Sequence, residues 1–173
     1  MAWVPPMVDW VKLNIDGSRN IQLGSLTVGE VVRNHNSQWL RGFAMHRGSE
    51  SILEAQLWAV FEGLNMVWDA EYKQVQVESD WLEAVSLIQN GCNDDNPLWF
   101  LIQSCSNLMN KAWRCQMSHI FRKCNSLANN MADLGHSCKY QTCYFEVPPP
   151  LVVQFVVKDF EGLIHARHIS SVE

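Results

Sequence analysis

The N-terminal part of the chain alternates apolar and polar residues in three stretches and predicts a β-meander. Over 11–16 the alternation is regular, which is typical of a strand with one buried face. Apolar stretches over 26–33 and 38–45 predict a second and a third strand, and the polar residues at 34–37 between them predict a hairpin turn. Because short turns join the three stretches, we expect consecutive strands to pair antiparallel.

The central part of the chain changes to helical spacing. Leu53, Leu57, Val60 and Leu64 recur at intervals of three and four residues, which predicts a long first helix. Further stretches predict two more strands, at 74–78 and 113–120, and three more helices, at 81–88, 97–109 and 127–134. This order of elements is typical of an α/β domain in which helices cover one mixed sheet and the later strands run parallel through helical crossovers.

Prolines set apart both ends of this predicted domain. Pro5 and Pro6 favour an extended segment over 1–9, which we interpret as a linker or as a short strap over the domain. The domain itself is expected over 10–138, followed by a C-terminal tail over 139–173. In the tail we expect three features, namely a proline break at 148–150, a short apolar segment at 151–157 and a turn at 159–162.

The composition is that of one folded domain. Of the 173 residues, 47% are hydrophobic and 18% are charged, which excludes a disordered chain and provides enough apolar material for a core. The excess of 18 acidic over 13 basic residues gives a net charge of −5. Taken alone, this charge argues against a nucleic-acid-binding protein, because phosphate neutralisation requires lysine and arginine.

The chain contains no pattern typical of export or of membrane insertion. Residues 1–10 lack a basic region followed by an apolar one, and no apolar stretch is long enough to span a bilayer. We therefore expect an intracellular protein, cytoplasmic or nuclear, that is neither secreted nor bound to a membrane. In that setting the six cysteines are expected to be free thiols.

Three acidic residues stand where strands end or helices begin. Asp16 ends the first predicted strand, Glu54 lies in the first turn of the long helix, and Asp80 follows the fourth strand. If these strands are neighbours and the helix crosses them, the three carboxylates converge, and their repulsion then requires a cation such as Mg²⁺. A pair of such ions activates water and stabilises a leaving oxygen in phosphodiester cleavage.

Each of these acids also has a purely structural interpretation. Ser51 and Glu54 form a capping box at the start of the long helix. Asp80 can cap the helix that follows it, and Asp16 with Gly17 is an ordinary strand-to-turn ending. From the residues alone, a convergent metal site and three unrelated structural acids both remain open.

Four motifs, in this order and at this spacing, together resemble a known family. They are KLNIDGS at 12–18, LEAQLWA at 53–59, VESD at 77–80 and HIFRKCNSLA at 119–128. The chain resembles the ribonuclease H-like domain associated with reverse transcriptases of plant non-LTR retroelements, over 10–137 and on into the tail. The resemblance implies a five-stranded mixed sheet whose first three strands are antiparallel. It also implies endonucleolytic cleavage of the RNA strand of an RNA–DNA hybrid by two Mg²⁺ ions, for which Mn²⁺ can substitute, without a small-molecule cofactor.

The resemblance further assigns roles to individual residues. It makes Asp16, Glu54 and Asp80 the catalytic metal ligands. The positions that contact the nucleic acid are then Gly17, Ser18, Arg122 and Asn125. A-form geometry and the 2′-hydroxyl group let such a domain distinguish RNA from DNA.

The chain departs from the family pattern at the fourth acidic position. The family carries an aspartate where this chain has Asn129, and since an amide lacks the negative charge, we expect weaker binding of the second metal ion. Asp133 lies one turn further along the same helix face and is the other candidate for this position, although a solvated surface role fits it better. Another departure is Glu30, where the family has a glycine.

Three functions follow from these observations. The first, which we predict, is a metal-dependent ribonuclease H that is active or is weakened by Asn129. The second is a domain that binds nucleic acid without cleaving it, and the third is a protein-interaction module whose acids only cap helices. Convergence of Asp16, Glu54 and Asp80 would separate the third from the other two.

Overall fold

A mixed β-sheet of six strands forms the centre of the computed structural model, which describes residues 2–48, 51–139 and 141–170. In chain order the strands are β1 (Val11–Asn20), β2 (Ser25–Asn34), β3 (Trp39–Gly48), β4 (Gln74–Ser79), β5 (Arg114–His119) and β6 (Thr142–Phe145). Across the sheet their order is β5-β4-β1-β2-β3-β6. The antiparallel meander β1-β2-β3 and the parallel set β1, β4 and β5 are both confirmed.

In the described residues, five α-helices cover this sheet. They are α1 (Ile52–Asp69), α2 (Leu82–Asn90), α3 (Trp99–Met109), α4 (Ser126–Gly135) and α5 (Val153–Ser170). The long helix α1 begins at its predicted cap, because the Ser51 hydroxyl accepts a hydrogen bond from Glu54 N at 3.1 Å. No helix in the described part of the chain is long and apolar enough to cross a membrane.

Two apolar clusters hold the helices against opposite faces of the sheet. On one face, Leu13 of β1 is fully buried in the same cluster as Leu57 of α1. On the other face, Val31 of β2 packs with Leu127 and Met131 of α4. Burial of one such side chain contributes about 1.5–3 kcal/mol. The sheet is thus the middle layer of three. Both α1 and α4 reach the edge of the sheet at which β4 ends.

A close approach of α4 to β2 determines where that helix lies. A Cβ atom on Gly29 would overlap the backbone nitrogen of Ala132, so only glycine fits at this position. On the same strand, Thr27 donates a hydrogen bond from Oγ1 to Ala132 O at 2.6 Å. The helix is therefore held at one height on the sheet, and this height sets the position of Asn129 one turn earlier.

Glu30 is a buried acid without a counter-ion. Its side chain is fully buried on β2, and neither carboxyl oxygen has a hydrogen-bond partner among the described residues. It lies against Gly63 of α1, where a Cβ atom would overlap Glu30 Oε2. Burial raises the pKa of Glu30 well above its usual value of 4.5, and the charge of Glu62 raises it further.

The two ends of the described chain meet over the face of the sheet that carries α4. Trp3 is 2% exposed, and its indole Nε1 donates to Asn14 Oδ1 at 3.0 Å. The guanidinium of Arg33 lies 3.5 Å from the centroid of the Trp3 ring, and its Nη1 lies 2.6 Å from Asp159 Oδ2 of α5. We call Trp3, Arg33 and Asp159 the terminal clamp. Of the two interpretations of 1–9, the contacts of Trp3 support the strap.

The tail departs from its prediction in two places. β6 pairs antiparallel with 42–45 of β3, which adds a sixth strand to the predicted five. The turn expected at 159–162 is wrong, because α5 runs through these residues. Asp159 faces inward onto Arg33 within this helix, and the prolines at 148–150 precede it, where proline is compatible with a helix start.

Candidate functional site

Two of the predicted acidic residues lie side by side at one edge of the sheet. Ile15 and Ser79 are register partners in the parallel pair β1–β4, and Asp16 and Asp80 are the next residues of the chain. Their carboxyl groups lie within hydrogen-bond reach of each other. Asp16 is 4% exposed, and Asp80 is partly buried. The parallel pairing of β1 with β4 ends here, although β1 itself continues to Asn20, and sites in α/β sheets form where parallel strands end.

The purely structural roles suggested for the three acids, helix capping and a strand-to-turn ending, are not all present in the structure. Trp81, and not Asp80, is the residue at the start of α2, and no side chain caps that helix. Asp16 Oδ1 accepts a hydrogen bond from Gly17 N at 2.7 Å, but the predicted strand-to-turn ending at Asp16 is wrong, because β1 continues in antiparallel pairing with β2 as far as Asn20. Because Asp80 has no capping role, its place beside Asp16 needs another explanation.

The pair of aspartates is electrostatically strained. Burial raises the pKa of Asp16 from 3.8 to about 7, and the negative charge of Asp80 adds to the rise. Hydrogen bonds from Asn129 and from Gly17 N act in the opposite direction. Asp16 therefore gains or loses its proton near neutral pH.

Carboxamides surround this pair. Asn129 Nδ2 of α4 donates to Asp16 Oδ2 at 2.7 Å, and Gln56 Nε2 of α1 makes a longer contact with Asp16 Oδ1 at 3.5 Å. Beneath them, the buried Asn125 donates from Nδ2 to Ile15 O at 2.8 Å and lies 3.4 Å from an oxygen of Asp80. Asn125, which is predicted to contact the nucleic acid, therefore lies beneath the aspartates and supports them through its contacts with Ile15 and Asp80.

The helix α1 brings Gln56, and not Glu54, to Asp16. Glu54 lines a separate cavity together with Trp58 and Phe100 of α3. Positions two apart in a helix differ by about 200° around its axis, so side chains at these two positions point in nearly opposite directions. The predicted convergence of three carboxylates is therefore not found, and the α1 position beside Asp16 belongs to an amide.

Gln56 is the site residue that the motifs miss. A search for acidic residues selects Glu54, because it is the only charged residue in LEAQLWA. Helical phase is the signal that finds the other residue, since Gln56, Val60 and Gly63 follow one another at intervals of four and three on the buried face of α1. A polar side chain in phase with a buried stripe needs a polar partner inside the fold.

A cavity of about 370 Å³ opens over the two aspartates, and we call it the site groove. Three of the four predicted nucleic-acid contacts, Gly17, Ser18 and Arg122, line it. Arg19, which the motifs do not single out, lines it as well. The groove thus combines an acidic floor with two arginines on its walls.

Asp133 lies at the β1–β2 turn and not at the aspartate pair. The Ser18 hydroxyl donates to Asp133 Oδ1 at 2.5 Å, and Ser18 Oγ also lies 3.2 Å from His136 Nε2. Asp133 is exposed, in line with the solvated role expected for it. Of the two candidates for the fourth acidic position, the structure brings Asn129 to Asp16 and Asp133 to Ser18.

A family model described as reverse transcriptase-like matches residues 14–135, a span that contains Asp16, Gln56, Asp80 and Asn129. The chain belongs to the reverse transcriptase-like family. This match confirms the ribonuclease H-like domain that the four motifs predict.

Relatives of this reverse transcriptase-like domain carry the same fold. The chain is 30% identical over 169 residues to a curated Arabidopsis thaliana protein with a provisional ribonuclease H name. That alignment covers 98% of the chain and 27% of the relative, so the chain spans about a quarter of its relative's length. Ribonuclease H1 of Halobacterium salinarum has a TM-score of 0.67 at 16% identity, over 75% of this chain and 98% of that one. LC11 ribonuclease H1, solved in complex with an RNA/DNA hybrid, has a TM-score of 0.65 at 17% identity, over 76% and 99%.

The residues around Asp16 in this reverse transcriptase-like domain do not fit the two Mg²⁺ ions that the resemblance implies. In the described part of the chain, no group of three His, Cys, Asp or Glu side chains is placed to hold a metal ion. Gln56 and Asn129 present N–H groups to the oxygens of Asp16, where metal ligands would present oxygen. Mg²⁺ is held mainly by carboxylates, and one pair of them compensates at most half of the charge of two ions.

Proposed function

We propose that this reverse transcriptase-like domain binds RNA–DNA hybrids across the site groove. The observation that carries the proposal is the position of Asp16 and Asp80 side by side where the parallel pairing of β1 and β4 ends, beneath a groove that Arg19 and Arg122 line. A protein of the same fold, LC11 ribonuclease H1, has been solved with an RNA/DNA hybrid. The family and the groove together support a nucleic-acid ligand.

The net charge of the chain is −5, which opposes the binding of a phosphate backbone. The charge inside the site groove is less unfavourable. Arg19 and Arg122 place two positive charges on its walls. On its floor, Asp16 is partly protonated near neutral pH, and the side chains of Gln56 and Asn129 are neutral. Since binding responds to the field within a cleft, the acidic composition does not argue against a hybrid at this place.

Binding is tested by fluorescence anisotropy with a labelled RNA–DNA hybrid and the corresponding DNA duplex at several salt concentrations. Arg122→Ala should weaken hybrid binding and reduce the slope of log affinity against log salt by about one, because one phosphate contact is lost. Arg114→Ala is the matched control, since Arg114 begins β5 at the opposite end of the sheet from Asp80. The proposal is contradicted if Arg122→Ala and Arg114→Ala lose the same hybrid affinity, or if the wild type binds the hybrid and the DNA duplex equally.

Cleavage of the RNA strand is the second candidate function. The four family motifs and the adjacent Asp16 and Asp80 favour it. It depends on divalent metal ions, and the donor groups around Asp16 do not fit a pair of them. Binding without two-metal cleavage is therefore the function that the geometry supports better.

A further inference from the structure

Two carboxamides lie beside Asp16: Asn129 at the position where the family has an aspartate, and Gln56 at the place beside Asp16 predicted for Glu54. Gln56 comes from α1 and Asn129 from α4, and each directs an N–H group at a different oxygen of Asp16. We propose that Gln56 and Asn129 take the place of bound cations at this site, so that the domain holds RNA–DNA hybrids without cutting them. This inference rests on the proposed function and states what the same site does with its ligand.

The amide N–H groups direct partial positive charge at the carboxylate, as a cation would. Asp16 Oδ2 accepts from Asn129 Nδ2 at 2.7 Å, and Asp16 Oδ1 accepts from Gly17 N at 2.7 Å with Gln56 Nε2 at 3.5 Å. Three N–H dipoles thus point at one carboxyl group and stabilise its negative form. These hydrogen bonds occupy part of the lone pairs of the carboxyl group and therefore compete with a metal ion for it.

Packing holds Gln56 in this position. The side chain is fully buried, and a Cβ atom on Gly17 would come within 2.7 Å of its Nε2, so the glycine leaves the space that the amide fills. Asn129 is fixed less by packing than by its short bond to Asp16, on a helix whose height Gly29 sets. The amide arrangement is therefore a property of the folded protein and needs no ligand to form.

The test introduces an acid at each of the two positions. We compare the wild type with Asn129→Asp and with the double variant Gln56→Glu plus Asn129→Asp, measuring Mg²⁺ binding by calorimetry and the unfolding temperature with and without Mg²⁺. Cleavage of a labelled RNA–DNA hybrid is followed on gels. Asn130→Asp is the control, because it adds the same charge to α4 at a side chain that bonds Ser126 O of its own helix.

The wild type should bind the hybrid, show no Mg²⁺-dependent rise in unfolding temperature and leave the RNA strand intact. The double variant should bind Mg²⁺ about tenfold or more tightly than the wild type and cut the RNA strand. Asn130→Asp should behave as the wild type. Rapid Mg²⁺-dependent cleavage by the wild type overturns the inference, and so does a folded double variant that binds Mg²⁺ without cutting.

A second measurement covers the case in which the buried Gln56→Glu prevents folding. Asn129→Asp alone changes a partly buried side chain and should acquire a Mg²⁺-dependent rise in unfolding temperature that Asn130→Asp lacks. The absence of that rise overturns the inference. Failure of the wild type to bind any hybrid refutes the proposed function instead, and the Mg²⁺ measurements still decide whether the amides replace cations.

Discussion

The buried Glu30 determines part of the way in which stability depends on pH. Burial raises its pKa well above 4.5 in the folded protein, so the folded state keeps a proton that the unfolded chain releases. The stability is then greatest below the pKa of the unfolded chain and falls as the pH rises toward the folded pKa. The loss is about 1.4 kcal/mol for each pH unit in that window.

Glu30→Gln removes this titration and preserves the size of the side chain against Gly63. Between about pH 5 and the folded pKa of Glu30, the wild type should therefore lose about 1.4 kcal/mol more free energy of unfolding per pH unit than the variant does. Asp16, whose pKa burial raises from 3.8 to about 7, adds a loss of the same sign. It is present in both proteins and cancels in the difference.

Urea unfolding at a series of pH values measures the effect, followed by the fluorescence of the eight tryptophans. Glu71→Gln is the control, because Glu71 is exposed at the end of α1 and its charge is free to hydrate in both states. Its stability curve should run parallel to that of the wild type. Parallel curves for the wild type and Glu30→Gln would refute the reasoning, since they would mean that folding does not shift the titration of Glu30.

Two further substitutions test contacts that hold the layers together. Gly29→Ala places a Cβ on the backbone of Ala132 and should lower the free energy of unfolding by about 3 kcal/mol, whereas Gly24→Ala, at a positive φ in open space, should cost about 1 kcal/mol. Asp159→Ala leaves the charge of Arg33 buried without its partner and should cost about 3–5 kcal/mol. Urea unfolding at neutral pH measures both. Equal losses for the two glycine variants, or a loss below about 1 kcal/mol for Asp159→Ala, would speak against these contacts.

Local patterns predict the part of the fold in which neighbours in sequence are neighbours in space. The alternation in β1 and the polar turn at 34–37 determine the meander, because hairpin pairing follows from turn chemistry and register. The apolar spacing of α1 predicts its buried face, and Ser51 predicts its start. These signals lie within a few residues of the element that they describe.

The structure of the tail could not be predicted from local patterns. β6 has four residues and pairs only with 42–45, about a hundred positions earlier, so no local pattern distinguishes it from a loop. α5 contains Asp159 and Gly162, which favour a turn when they are considered alone. The helix is held on the domain by Arg33 of β2 and by the apolar cluster around Val31, and these contacts exist only in the folded chain.

The candidate site illustrates a different limit. Asp16 and Asp80 are predictable because strand ends in parallel sheets gather at one edge. Glu54 attracts attention because it is charged, yet its helix phase turns it toward α3. Gln56 is uncharged; helical phase places it on the buried face of α1, and the packing of α1 on β1 shows that its partner is Asp16.

The terminal clamp has a consequence for the order in which the domain assembles. The meander closes through short loops, whereas the clamp joins Arg33 to Asp159 across 126 positions of the chain. Because closing so long a loop is slow, the strap and α5 settle after the sheet has formed. Detachment of the strap or of α5 would expose the buried side chains of Arg33 and Asn14 to water.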